Sequence, residues 1–375
     1  MRSCDRCWRR CCASSGAGWY FRRPRTPSNS PLVAHPPLAV MARYQSIRCR
    51  CAVVATRVTL WQSRSRVLTR FRPMPRVIGF LLLIFLARCQ AAPEIDCSLT
   101  MVTQMPLRVQ DRLLVVPVGI NGKWVRLVVD SGAERTTISD AAANRLGLPH
   151  DAKYVTHAVG IGGGTTTTDV TIERLVIGGV HFPVDRVAVG TFSLQNERGL
   201  DADGLLGADI LLAFDMDIDV PGGTLTLYRS RACPTPKPPW QEPSIEIQGV
   251  RALKDRLLVP IELDGVSGMA ILDTGAQGNV VGLNMARRMG LTDQILSRDQ
   301  PVRNRGTGGV SISRLHQFKR LRIGPVVEER PTMMVLQSDF GVGDALIGES
   351  FLQGRRVWLS LRNRQIFVSR RSNEQ

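Results

Sequence analysis

From Leu113 to Ile120 the chain is an almost unbroken apolar run, and after Asn121-Gly122 a second run, Trp124 to Val129, returns. Two apolar runs joined by Asn-Gly predict a buried β-hairpin, because Asn and Gly both tolerate the positive φ that such a turn needs. Thr136–Ile138 is short and β-branched, which suits a strand. Ile138, Ala142 and Leu146 then recur every four residues, with Ser139 or Asp140 before them and Gly147 after them. That spacing, cap and stop predict one short helix with a core-facing stripe. Farther on, Gly160-Ile161-Gly162-Gly163-Gly164 runs into four threonines, and Val170–Val180 has the composition of strands. A glycine tip between β-rich arms predicts a mobile hairpin. A dinucleotide loop would need a helix to open directly after the glycines, and a phosphate loop would need a lysine.

The whole pattern then repeats. At an offset of 143 residues Pro117 answers to Pro260, Asn121-Gly122 to Asp264-Gly265, and Leu146-Gly147-Leu148 to Met289-Gly290-Leu291. The helix stripe returns as Val281, Met285 and Met289. The glycine tip returns as Gly306-Thr307-Gly308-Gly309 at an offset of 146, and Leu205-Leu206-Gly207 returns as Leu346-Ile347-Gly348 at 141. Offsets that drift by a few residues are what loop insertions leave behind. The expectation is an all-β chain of two tandem lobes, each with one short helix: lobe one over 99–232 and lobe two over 247–372. Between them, a proline-rich linker over 233–246 holds Pro234, Pro236, Pro238, Pro239 and Pro243, and such a segment is stiff and extended. Asp215, Asp217 and Asp219 alternate with Met216, Ile218 and Val220, which predicts a strand with one solvated face.

Charge separates the start of the chain from the rest. Residues 1–91 hold 17 arginines, no lysine and one acidic residue, Asp5; the remaining residues hold 32 basic and 31 acidic side chains. The formal net charge of +17 therefore belongs to the leader. The nucleic-acid binding that a basic chain suggests is excluded for the lobes. Residues 1–73 read either as a disordered basic arm or as translated upstream sequence outside the natural protein, and the second reading is favoured. From Met74 a short basic start, an apolar run from Val77 to Ala87 and the small residues of Cys89-Gln90-Ala91-Ala92 have the layout of a signal peptide over 74–91. An uncleaved anchor is the alternative. The run is short for a membrane-spanning helix, and Arg88 before Cys89 departs from a lipoprotein signal. The expectation is export to a periplasmic or extracellular space. Only Cys97 and Cys233 would then remain, bracketing lobe one, and in an oxidising compartment they are expected to pair, the alternative being two free thiols.

The chemistry sits at the ends of two apolar runs. Val128-Val129-Asp130-Ser131-Gly132-Ala133 and Ile271-Leu272-Asp273-Thr274-Gly275-Ala276 each end in a carboxylate, a small hydroxyl residue and a glycine. One such triplet is ordinary turn chemistry. Two in register, one per lobe, present two carboxylates at the edge of a core.

Together with the glycine-tipped hairpins and the later apolar-apolar-Gly elements, these triplets resemble the retropepsin-like aspartic proteases. Gly204-Leu205-Leu206-Gly207-Ala208-Asp209-Ile210-Leu211 is especially close to that family's last core element, and the likeness covers nearly all of 110–370. The resemblance implies two acid-protease lobes of the closed-barrel type facing each other. It makes Asp130 and Asp273 the catalytic pair, and Ser131, Gly132, Thr274 and Gly275 the support of their loops. Gly160, Ile161, Gly162, Gly163, Gly306, Thr307, Gly308 and Gly309 become flaps over an extended peptide. Two departures are visible. Glu349-Ser350 stands where lobe one has Ala208-Asp209, and Arg303 and Arg305 flank the second flap, a bias toward acidic or unusual substrates.

Two carboxylates held about 3 Å apart cannot both ionise and so share one proton. The ionised partner can activate water while the protonated one polarises a carbonyl. The function expected is an aspartic endopeptidase, with a non-catalytic peptide-binding module on the same scaffold as the alternative. No metal and no organic cofactor is required. The partners expected are a peptide or protein substrate, no nucleic acid, and membrane contact only through the signal segment. The chain is expected to be a monomer whose lobes pair internally, although pairing between chains would also satisfy the sequence.

Overall fold

The computed structural model describes residues 97–190, 194–195, 199–231, 233, 235–251, 256–306 and 309–370. The leader, the signal segment and Thr307-Gly308 of the second glycine tip lie outside the described residues.

Each lobe is built on the predicted hairpin. Leu113–Ile120 pairs antiparallel with Lys123–Val129, and Leu257–Leu263 with Val266–Leu272. Both turns use the left-handed region that their sequences allow, at Asn121 (φ 49°) and Gly122 (φ 78°), then Asp264 (φ 48°) and Gly265 (φ 85°). The second strand of each hairpin lies parallel to the later apolar-apolar-Gly element, with Val129 beside Leu206 and Leu272 beside Ile347. Across that element lies a short strand, Thr137–Ser139 in lobe one and Val280–Val281 in lobe two, which leads to the glycine-tipped hairpin. The ten-stranded sheets of the two lobes run in the same order, so the duplication seen in the sequence is a duplication of topology.

The helix Asp140–Leu146 is capped by the Ser139 hydroxyl, which accepts from Ala142 N–H, and it ends at Gly147 with φ 70°. Its counterpart is Leu283–Arg288. Each lobe thus has the helix expected of it, and among the described residues single turns also occur at Ala208–Leu211, Asp293–Leu296 and Glu349–Leu352. A four-residue turn is too short to leave a periodic signal.

A third, six-stranded sheet joins the lobes. Its order is Ser98–Pro106, Thr224–Arg231, Asp215–Asp219, Arg356–Ser360, Gln365–Ser369 and Ser244–Gln248, with the first three strands from lobe one and the rest from lobe two. Strand Ser244–Gln248 begins three residues ahead of the boundary drawn at 247, because its pairing with Gln365–Ser369 starts at Ser244. Cys97 and Cys233 are joined by a disulfide, with their Cα atoms 4.7 Å apart, just beyond the last pair of the outer ladder, Ser98 with Arg231.

The solvated face expected for Asp215–Asp219 is also corrected. Asp215 and Asp217 are each 2% exposed. Arg356 of lobe two forks onto Asp217, Nε to Oδ1 at 2.9 Å and Nη2 to Oδ2 at 2.7 Å, and lies over the Trp240 ring of the linker. Ser360 Oγ donates to Asp215 Oδ1. Buried carboxylates persist here because each has partners. The apolar side of the same strand, Met216 and Ile218, joins Val357 and Leu359 in one core that runs through both lobes.

Candidate active site

The sheet topology delivers both aspartates to one place. Asp130 and Asp273 follow directly on the inner hairpin strands, and the parallel neighbour fixes their backbones: Asp130 N–H donates to Leu206 C=O at 3.0 Å, and Asp273 N–H to Ile347 C=O at 2.9 Å. The loops that follow are braced across the lobe boundary. Thr274 Oγ1 accepts from Ser131 N–H at 3.0 Å and donates to Val129 C=O at 2.7 Å. Ser131 Oγ accepts from Thr274 N–H at 3.1 Å and donates to Leu272 C=O at 2.9 Å. Four reciprocal bonds, wholly buried, therefore tie one triplet to the other. A short hydroxyl after each aspartate is what this geometry requires, since each oxygen must both accept and donate within one turn.

The glycines are required by the carboxylates. A Cβ on Gly132 would fall within 2.7 Å of the Asp273 carboxyl, and a Cβ on Gly275 would overlap that of Asp130. Each lobe's aspartate thus lies against the bare backbone of the other lobe's loop.

The two carboxyls are not equivalent. Asp130 Oδ1 accepts from Gly132 N–H and from Ala133 N–H, both at 2.9 Å. Asp273 Oδ1 accepts from Gly275 N–H at 2.9 Å, while Ala276 N–H is turned to the Asp273 backbone carbonyl at 3.3 Å. Burial pushes both carboxyls above the ordinary carboxylate range. For Asp130 the hydrogen bond from Asp273, the two backbone N–H groups and the charge of Arg256 pull back. For Asp273 burial is reinforced by the negative charge of Asp130, so Asp273 is held well above the ordinary range and opposed by one backbone N–H and by Arg256. The stronger upward push falls on Asp273, which faces the charge of Asp130 and has one backbone donor fewer.

Other residues at the site carried no prominent sequence signal. Glu134 and Gln277 occupy the fourth position after each aspartate and are held from the opposite lobe. Arg256 Nη2 lies 3.5 Å from Glu134 Oε1. Gln277 Nε2 donates to Asp111 C=O at 2.9 Å and to Asp111 Oδ2 at 2.8 Å. The 143-residue offset was the available clue, since it aligns Glu134 with Gln277.

The glycine tips form two hairpins, His150–Gly160 with Gly163–Thr171 and Gln300–Gly306 with Gly309–Gln317. Gly162 (φ 92°), Gly163 (φ 121°) and Gly309 (φ 121°) take backbone conformations that suit glycine. The tips meet: a Cβ on Gly162 would strike the Gly309 backbone at 2.6 Å, and one on Gly306 would strike Ile161. Among the described residues no group of three or more His, Cys, Asp or Glu side chains could hold a metal ion.

A family model described as aspartyl protease matches residues 116–210 and again 259–351. The UBA domain-containing protein Mud1 of Schizosaccharomyces pombe is 31% identical over 118 residues, 31% of this chain and 33% of Mud1. DNA damage-inducible protein 1 is 29% identical over 122 residues in Yarrowia lipolytica, 32% of this chain and 29% of that protein. In Phaeosphaeria nodorum the same protein is 31% identical over 114 residues, 30% of this chain and 24% of that protein. The chain thus spans a third or less of the length of these curated relatives. The crystal structure of an aspartic proteinase from Irpex lacteus matches at a TM-score of 0.43 and 14% identity, over 73% of this chain and 98% of that chain. Since the family model covers half of the chain, once in each lobe around each aspartate, the chain belongs to the aspartyl protease family.

Proposed function

We propose that the chain is an aspartic endopeptidase whose catalytic pair is Asp130 and Asp273, one from each lobe. The observation that carries the proposal is the meeting of the two carboxyls, each packed against the other loop's glycine and fixed by the Ser131–Thr274 brace. The unequal environments support a division of roles. Asp130, with two backbone donors, is the ionised partner and takes a proton from the attacking water. Asp273, the proton holder, delivers its proton to the scissile carbonyl oxygen as the water oxygen bonds to carbon. In the second half Asp130 returns its proton to the amide nitrogen, the C–N bond breaks, and Asp273 recovers a proton from the diol. The dyad ends as it began.

The substrate in this proposal is an extended peptide. The hairpins meeting at their tips supply backbone donors and acceptors to pair with it, so main-chain pairing holds the substrate and orients the scissile bond. The working unit is one chain, and the six-stranded sheet shared by both lobes supports internal pairing. Export is proposed as well: a Cys97–Cys233 bond fits an oxidising compartment, and the mature protein would start near Ala92. Incubation of the mature protein with a diverse peptide library at several pH values, cleavage being read by mass, tests the activity. Internal cleavage by the parent supports the proposal, and peptide binding without any cleavage would favour a binding module instead.

A further inference from the structure

The two flaps are secured differently. Strand register aligns them at an offset of 146: Thr156 faces Thr167 as Val302 faces Ser313, and Val170 lies beside Val187 as His316 lies beside Met333. In the aspartate loops the offset is 143. On this alignment Arg135, Thr156 and Asp169 of lobe one correspond to Gly278, Val302 and Leu315 of lobe two.

In lobe one those three residues form a closed set. Arg135 Nη2 lies 2.8 Å from Oδ2 of Asp169, whose side chain is 3% exposed. Arg135 Nη1 donates to Thr156 Oγ1, which donates in turn to Asp169 Oδ1. A single guanidinium, five residues beyond Asp130, thus grips both strands of the first flap. Gly278, Val302 and Leu315 have no side-chain donor or acceptor with which to repeat it. The second flap is tied across its own strands, where Asn304 Nδ2 donates to Ser313 Oγ, and to its own approach, but not to the aspartate loop by an arginine at the position of Arg135. His316 Nδ1 is 2.6 Å from Asp299 Oδ2, and Arg314 Nη1 donates to Asp299 C=O at 3.2 Å.

The tip of the first flap is secured as well. Ile161 packs on a lobe-two cluster of Val280, Leu336 and Leu346. The lobe-one positions that answer to Val280, Leu336 and Leu346 are Thr137, Gly190 and Leu205, so lobe one offers no matching apolar cluster there.

We infer that Arg135 is a positioning residue that fixes the first flap to the Asp130 loop, which makes the first flap the slower of the two hairpins to open. Charge-assisted bonds to a buried carboxylate raise the cost of opening the hairpin they hold. The inference rests on the protease reading for its consequence, but not for its test.

Amide hydrogen exchange reads it directly, by comparing 150–171 with 300–317 in the parent and in Arg135→Met, Arg135→Lys and Thr156→Val. In the parent the second flap should exchange faster. Arg135→Met should speed the first flap about tenfold and leave the second unchanged, with Lys partly restoring protection. Thr156→Val, which keeps the ion pair, should act in the same direction but less, and it stands in if the Arg135→Met chain does not fold. Equal exchange of the two flaps in the parent, or a first flap unmoved by either substitution, overturns the inference. With a cleaved peptide, Arg135→Met should raise KM about tenfold, change kcat by less than about threefold and leave the pH profile in place. A fall in kcat at constant KM would mean that Arg135 acts on the dyad loop and not on the flap. A parent that cleaves nothing defeats the protease reading, and the exchange comparison still decides the role of Arg135.

Discussion

Thr274 and Ser131 exchange four buried hydrogen bonds across the lobe boundary, and each hydroxyl both accepts and donates. The brace sets the distance between the aspartates, so its loss should be felt in folding and in chemistry together. Thr274→Val keeps the shape but leaves Ser131 N–H and Val129 C=O unpaired. Each such buried group costs about 1–3 kcal/mol, so the variant should lose about 2–6 kcal/mol in urea denaturation. Thr274→Ser should recover most of it. A Val variant as stable as the parent would mean that water replaces the brace.

Arg356 and Asp217 should behave as a pair. Arg356→Met leaves a buried carboxylate without its fork and should cost roughly 3 kcal/mol, the lower end for broken buried pairs because the arginine is partly exposed. Adding Asp217→Asn removes the stranded charge and should restore much of the loss. A double-mutant cycle with no coupling would show that the lobes are held by the apolar core of the shared sheet alone.

The Cys97–Cys233 bond closes a loop with a sequence separation of 136 around lobe one. Cross-links over loops of that length contribute about 4–5 kcal/mol in the chain-entropy model. Cys97→Ser should lower stability by a comparable amount while leaving the dyad geometry intact. Labelling of both thiols in unreduced, exported protein would contradict the bond.

Burial raises both Asp130 and Asp273, and that has a consequence for stability. Free aspartates ionise near 3.8, and both folded carboxyls lie higher, Asp273 much higher. The stabilisation is therefore complete below the unfolded value and is lost as pH rises through the folded ones. Asp273→Asn has no such proton to lose. Its melting temperature should gain on the parent by about 2–6 °C between pH 4 and pH 8. A constant difference across that range would show that the carboxyls do not share a proton.

The repeat made much of this molecule legible. Its hairpins, turns and helix caps follow from local chemistry, and the 143-residue offset alone brings Asp130 and Asp273 into equivalent positions. Asp215 and Asp217 look solvated in the sequence because the strand and linker that cover them arrive from far along the chain, at Arg356 and Trp240. The inequality of the two carboxyls was hidden for another reason. Ala133 and Ala276 are the same residue, and only the direction of one N–H distinguishes them. Arg135 gave no signal because its partners on the flap become neighbours only when the hairpin folds back.

The central claim is that Asp130 and Asp273 act as one unit, and cleavage of a peptide substrate by Asp130→Asn, Asp273→Asn and the double variant tests it most directly. Groups that act as a unit are not additive. Each single variant should lose several orders of magnitude in kcat/KM, and the double variant should lose about as much as either one. Substantial turnover by Asp273→Asn would contradict the account, since lobe two would then be structural.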